Sequence, residues 1–282
     1  MSFFISEVSS NHSQDLDRCI NFIDKSSEIG CDAVKFQLFK IDSLFTKEVL
    51  EKREDVKERK KWELPIEFLP DLSDRCKEKK IKFSCTPFYL DAVEELLPFV
   101  DFFKIASYEI LWDDLIKECS ITKKPLIIST GMANMNEIRH AIHISKKYGC
   151  EDISLMHCVS NYPASISDVN LKAIETMRKE FGCKIGWSDH SLNSSVLRRA
   201  IHKWEADFIE FHLDLDGQGQ EYEPGHCWLP DEIEPIIKDA RKSSLIDGNG
   251  VKEPKENESI ERSWRADPSD GLRPLLATRK EN

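Results

Sequence analysis

Residues 184–213 read KIGWSDHSLNSSVLRRAIHKWEADFIEFHL. A short β-rich run, Lys184–Ser188, leads to a helix-like segment, Leu192–Trp204, behind a cap candidate at Ser191; a second β-rich run, Phe208–Leu213, follows. A parallel pair of strands needs a crossover of this kind. The alternation extends back to the N-terminus through six more runs, at Phe3–Val8, Ala33–Leu38, Lys82–Cys85, Phe102–Ile105, Pro125–Thr130 and Ile153–Cys158. Helical segments between them include Leu16–Ile29 and Met135–Lys147, the latter behind Asn134. Eight strand–helix units predict an α/β fold, the TIM (β/α)8 barrel. A doubly wound sheet would carry a G-x-G-x-x-G turn after its first strand, and none is present.

The pattern stops near Ser243, which assigns 1–243 to the barrel and 244–282 to a charged C-terminal tail without a core of its own. Phe39–Lys61 is an insertion between the second strand and its helix. Its run Lys47–Lys61 is dense in charge of both signs and reads as a solvated helical excursion.

The net charge of −11 over 282 residues disfavours nucleic acid and anionic membrane as partners, although a few buried cations can still hold a small anion. The N-terminus lacks the basic and apolar regions of a leader, and no window approaches the length of a membrane span, so a cytoplasmic location is expected. Nine scattered cysteines with no C-x-x-C pair read as reduced, mostly buried thiols.

In such a barrel the active-site groups come from the C-terminal ends of the strands. These ends are unusually polar: Glu7, Lys35 and Gln37, Thr86, Lys104 with Ser107 and Glu109, Ser129 to Gly131, His157 to Pro163, Ser188 to His190, and Glu210 to His212. Lys35 and Lys104 inside one barrel would repel unless an anion lay between them, which points to a phosphate or carboxylate site with Thr86, Ser107, Ser129 and Ser188 as neutral donors. A Schiff-base lysine is the rival use. His190 and His212 end adjacent strands, and with a carboxylate such as Glu210 or Asp189 they suit Mn, Fe, Co or Zn better than Mg.

Taken together, the segments ISEVSSNH (5–12), CDAVKFQLFK (31–40), FSCTPF (83–88), FFKIASYE (102–109), LIISTGMA (126–133), LMHCVSNYP (155–163), GWSDHS (186–191) and IEFHLDLD (209–216) resemble the N-acetylneuraminate (sialic acid) synthase family of NeuB type. The resemblance implies condensation of phosphoenolpyruvate with an N-acetylated amino sugar resembling N-acetylmannosamine. It implies Mn2+ on His190 and His212, and phosphoenolpyruvate on Lys35, Thr86, Lys104, Ser107, Ser129, Asn161 and Ser188. It further implies amino-sugar contacts from Gln37 and Tyr162, and acid–base work by Glu7 or Glu109. The family's usual G-P-D-H turn is Glu223-Pro224-Gly225-His226 here, which leaves Asp214, Asp216, Glu221 or Glu223 to replace its acidic residue.

The family's C-terminal antifreeze-like domain, which gives an arginine to a partner subunit, is expected to be absent, with a homodimer formed barrel to barrel. Arg262, Arg265 and Arg273 around Trp264 in the tail are candidates for that guanidinium. A legionaminic- or pseudaminic-type synthase, a non-condensing sugar-binding relative and a scaffold protein are the competing readings.

Overall fold

The computed structural model describes residues 2–280. Strands β1 (Phe3–Glu7), β2 (Ala33–Leu38), β3 (Lys82–Pro87), β4 (Phe102–Ile105), β5 (Leu126–Ser129), β6 (Ile153–Cys158), β7 (Ile185–Asp189) and β8 (Phe208–Leu213) pair in chain order. All pairs are parallel, and β1 also pairs with β8, placing Glu7 opposite both Lys35 and His212. The sheet is therefore a closed TIM (β/α)8 barrel. A two-residue strand that the sequence pattern does not reveal, β9 (Cys227–Trp228), extends β8 with His212 opposite Cys227.

Helices α1 (Leu16–Glu28), α2 (Leu69–Lys79), α3 (Asp91–Leu96), α4 (Asp113–Ile121), α5 (Met135–Lys147), α6 (Ala173–Phe181), α7 (Ser194–His202) and α8 (Pro230–Asp247) follow the strands in turn. Asn134 begins α5 with a full capping box, accepting from Asn136 and Glu137 N–H while Glu137 accepts from the Asn134 N–H. The cap expected at Ser191 lies instead at Asn193, because Leu192 takes a left-handed φ of 50° that no helix can pass through. The Ser191 hydroxyl donates to Asp189 at 2.7 Å.

Alternation along each strand explains the two cores. Outward positions such as Phe4, Val34, Phe36, Phe103, Leu155, Trp187 and Phe211 pack in the main core of the protein. Inward positions at the N-terminal ends form an apolar floor of Ile5, Ala33, Phe102, Ile127 and Met156, packed by Phe3 and Phe208. Two residues further along these same strands, the inward positions become Glu7, Lys35, Lys104, Ser129, Cys158 and Glu210, all buried. The strand period thus turns an apolar floor into a charged layer within one pleat.

The insertion after β2 is helical, with short helices Ile41–Leu44, Lys47–Lys52 and Glu54–Lys57 and a 3-10 turn at Glu58–Trp62. It is not solely a solvated excursion. Gln14 donates to the carbonyls of Lys60 (3.2 Å) and Glu63 (2.9 Å), and Glu63 accepts from the Ile41 N–H at 2.6 Å, which ties the turn down onto the barrel.

All nine cysteines are free thiols, eight of them buried. Among the described residues no helix is long and apolar enough to cross a membrane. Residues from Lys242 onward form a second compact unit. Within it Asp267 accepts from the Ser269 and Leu276 N–H groups, and Arg279 pairs with Asp270, so this segment has a polar organisation of its own.

Candidate active site

The charged layer is internally paired. Lys104 donates to both oxygens of Glu210, at 2.9 and 2.7 Å, and Lys35 pairs with Glu7 while standing 3.9 Å from Glu210. Lys35 also donates to the Thr86 hydroxyl (3.2 Å), and Ser188 donates to Glu210 (3.1 Å). Burial alone would raise the Glu210 carboxyl; Lys104 and Lys35 beside it hold it below the ordinary range. The anion that two barrel lysines require is thus supplied by the protein. This corrects the expectation that the lysines by themselves demand a ligand, and it takes Glu210 out of the set free to bind a metal.

A place for a ligand anion lies just above. An inner cavity of about 70 Å3 is lined by Lys35, Thr86, Lys104, Ser107, Ser129 and Ser188, among others. Gly131 explains its polar wall. Its N–H donates to Ser107 at 3.1 Å, and a Cβ there would stand 2.2 Å from the Ser160 hydroxyl and 2.7 Å from that of Ser107. Only glycine leaves the backbone close enough for these donors to converge. The Ser160 hydroxyl is buried with no partner among the described residues. Asn161, expected at this site, is exposed and does not line the inner cavity.

His190 and His212 face each other with ring centroids 5.4 Å apart. His190 Nδ1 is engaged by the Val159 carbonyl at 2.8 Å and His212 Nδ1 by Glu221 at 3.0 Å, leaving both Nε2 atoms without a hydrogen bond among the described residues. A metal-binding imidazole typically has its second nitrogen anchored in this way. Burial, reinforced by neighbouring His212, lowers the His190 pKa to about 3, so the ring is neutral. Glu221 is itself fixed, accepting from Ser9 at 2.5 Å and donating its backbone N–H to Asn11 at 2.8 Å.

His226 stands 3.5 Å from Glu221, and His212, Glu221, His226 and Cys227 offer donor atoms within 4.8 Å of one another. Asp189, the other carboxylate considered beside these histidines, turns outward and binds Trp187, Trp228 and Ser191. Among the acidic residues of the altered turn, Glu221 reaches the site, whereas Asp214 and Asp216 are held by Arg18. His226, the last residue of the turn that stands for the family's G-P-D-H, is brought beside His212 by the strand β9.

Tyr162 packs on His190 at 4.2 Å between ring centroids. Gln37 donates to Glu7 at 2.7 Å. Both line the inner cavity, and both also line an outer one of about 640 Å3 that opens above it. Glu109 belongs to the outer cavity; burial raises its carboxyl to about 7, and its Oε2 has no hydrogen-bond partner among the described residues.

A family model described as the NeuB family matches residues 22–252. N,N'-diacetyllegionaminic acid synthase of Legionella pneumophila is 37% identical over 91% of this chain and 76% of its own length. Pseudaminic acid synthase of Helicobacter pylori is 33% identical over 75% of this chain and 65% of its own. The crystal structure of N-acetylneuraminic acid synthetase from Leptospira borgpetersenii, in complex with citrate, superposes with a TM-score of 0.81 at 30% identity, covering 95% of this chain and 93% of that one. The barrel and its charged mouth define a carbon–carbon bond-forming synthase by class. The chain belongs to the NeuB family.

Proposed function

We propose that this protein condenses phosphoenolpyruvate with the open-chain form of an acylated amino sugar, releasing phosphate and a 2-keto-3-deoxy acid of the sialic-acid type. The observation that carries this reading is the stacking of two chambers. The inner cavity, where Lys35 and Lys104 stand among hydroxyls and are balanced by Glu7 and Glu210, suits a small phosphorylated acid, and a larger chamber above it shares Gln37, Ser107, Tyr162 and His212 with it. Two substrates seated in these chambers meet at the shared residues. The similarity to a legionaminic-type synthase favours an acceptor with two acetamido groups over N-acetylmannosamine.

In the proposed reaction C3 of phosphoenolpyruvate bonds to the aldehyde carbon, water adds at C2, and the C2–O bond to phosphate breaks. Lys35, Lys104, Thr86, Ser107, Ser129 and Ser188 orient the phosphate and carboxylate, with the Gly131 N–H holding the Ser107 hydroxyl in place. Glu109, raised by burial to about 7, gives its proton to the aldehyde oxygen as that oxygen becomes a hydroxyl, and regains one from the water that adds at C2. Glu7, already engaged by Lys35 and Gln37, holds those two side chains in place. The anchored imidazoles of His190 and His212 suit a divalent ion such as Mn2+, which when bound would supply Lewis-acid activation of the aldehyde.

The test is release of phosphate from phosphoenolpyruvate with Mn2+ and either N-acetylmannosamine or 2,4-diacetamido-2,4,6-trideoxymannose. Sugar-dependent release supports the synthase; its absence with both sugars counts against it.

A further inference from the structure

We infer that Arg59 and Trp62, on the insertion after β2, form the binding site for an acylamino group of an unphosphorylated acceptor sugar. The inference rests on the synthase reading above and assigns the outer chamber a chemical class of ligand.

Both residues line the 640 Å3 chamber. The Arg59 guanidinium lies over the Trp62 ring at 5.2 Å, and it makes no hydrogen bond or ion pair with any described residue. A guanidinium stacked on an indole is pre-oriented, and its edge N–H groups remain free for an acceptor. The Trp62 Nε1–H is buried and has no partner either. A buried donor left without an acceptor is costly unless a ligand completes it. These positions are held fast: Gln14 grips the carbonyls of Lys60 and Glu63, on either side of Trp62, and Glu63 anchors back to Ile41.

The chemistry of the chamber selects the ligand. The buried Trp62 N–H requires an acceptor oxygen, and Arg59 offers that oxygen a second, charged donor, while Phe39, Phe45 and Phe88 make the same chamber apolar. An acylamino group has both halves, a carbonyl oxygen for the donors and a methyl for the aromatic wall. A phosphate does not fit. Arg59 is the only Lys or Arg among the described residues lining the chamber, and the Glu109 and Glu221 carboxyls share it. One guanidinium beside the ionised Glu221 carboxylate is a poor setting for a phosphate ester, which would need further cations.

The test compares the whole protein with Arg59→Ala and Trp62→Phe, using phosphoenolpyruvate, Mn2+ and four acceptors: N-acetylmannosamine, its 6-phosphate, mannosamine and 2,4-diacetamido-2,4,6-trideoxymannose. Calorimetric titration with the same sugars provides a second readout. The expected result is preference for an unphosphorylated, acylated sugar. Arg59→Ala should raise KM for that sugar roughly tenfold, the scale of one lost charged hydrogen bond, while KM for phosphoenolpyruvate stays unchanged. Trp62→Phe should give a smaller rise in the same constant. Preference for the 6-phosphate, or an unchanged sugar KM in both variants, overturns the inference. If no sugar releases phosphate, the synthase reading fails; the titrations then decide the subsite alone, with weaker sugar binding by Arg59→Ala supporting it and equal or no binding overturning it.

Discussion

Glu210 accepts from Lys104 with both carboxylate oxygens and stands 3.9 Å from Lys35, so one carboxylate serves two lysines across the barrel interior. Removing it leaves two buried ammonium groups with Glu7 alone to balance them. Glu210→Ala is expected to destabilise the fold by about 3–5 kcal/mol, the usual cost of breaking a buried pair. Thermal denaturation measures the loss, and added inorganic phosphate should recover part of it by replacing the missing anion. An unchanged melting temperature would show that the pair does not hold the layer together.

Gly131→Ala should act on the ligand rather than on the barrel. The added methyl meets the Ser160 and Ser107 hydroxyls at 2.2 and 2.7 Å, and must displace both, moving Ser107 from the inner cavity it lines. Affinity for phosphoenolpyruvate should fall by about tenfold or more, as expected for displaced polar contacts. Calorimetry checks this, with the melting temperature as a control for a folding defect.

The Glu109 carboxyl titrates near 7 in the fold, against an ordinary value of 4.5, because it is buried. The unfolded chain surrenders this proton at lower pH than the folded protein does. The neutral group therefore contributes stability that is complete below about pH 4.5 and lost as pH rises through 7. Glu109→Gln, which cannot ionise, should match the wild type near pH 4.5 and exceed it at pH 8, by up to about 3 kcal/mol. Denaturant titrations at the two pH values decide the matter; equal gaps would refute it. The same substitution should lower kcat and remove a limb near pH 7 from its pH profile.

Glu221 anchors the His212 imidazole. If His212 and His190 hold a divalent ion, Glu221→Gln should weaken Mn2+ binding by roughly 10- to 100-fold, the range for the outer partner of a ligand. His190→Ala and His212→Ala should abolish it. Dialysis against Mn2+ followed by metal analysis measures all three variants, and undiminished binding in His190→Ala would exclude that ligand.

The barrel was legible because burial of both sheet faces imposes short apolar runs separated by helical segments. Four of the eight strands, those at Ala33, Phe102, Ile153 and Phe208, keep the ends their residue patterns predict. The inward lysines and histidines were legible for the same reason, since two-residue alternation fixes which way they point. The features that escaped depend on chain closure. Nothing near Glu210 in sequence announces that two lysines from distant strands share it. Asn161 and Ser160 are equally polar neighbours, and only the loop after β6 decides that the Ser160 hydroxyl is buried and Asn161 exposed. Arg59 sits in a charge run that resembles solvated surface until Gln14 and Glu63 fold its turn onto the mouth.

The apolar floor of Phe3, Phe102 and Phe208 gives the reaction an order of events. With the barrel sealed below, the inner chamber is reached through the outer one. A sugar seated outside would bar the way in, so phosphoenolpyruvate must arrive first. Dead-end inhibition reports such a queue: an unreactive sugar analogue should be uncompetitive against phosphoenolpyruvate, whereas random arrival would make it noncompetitive.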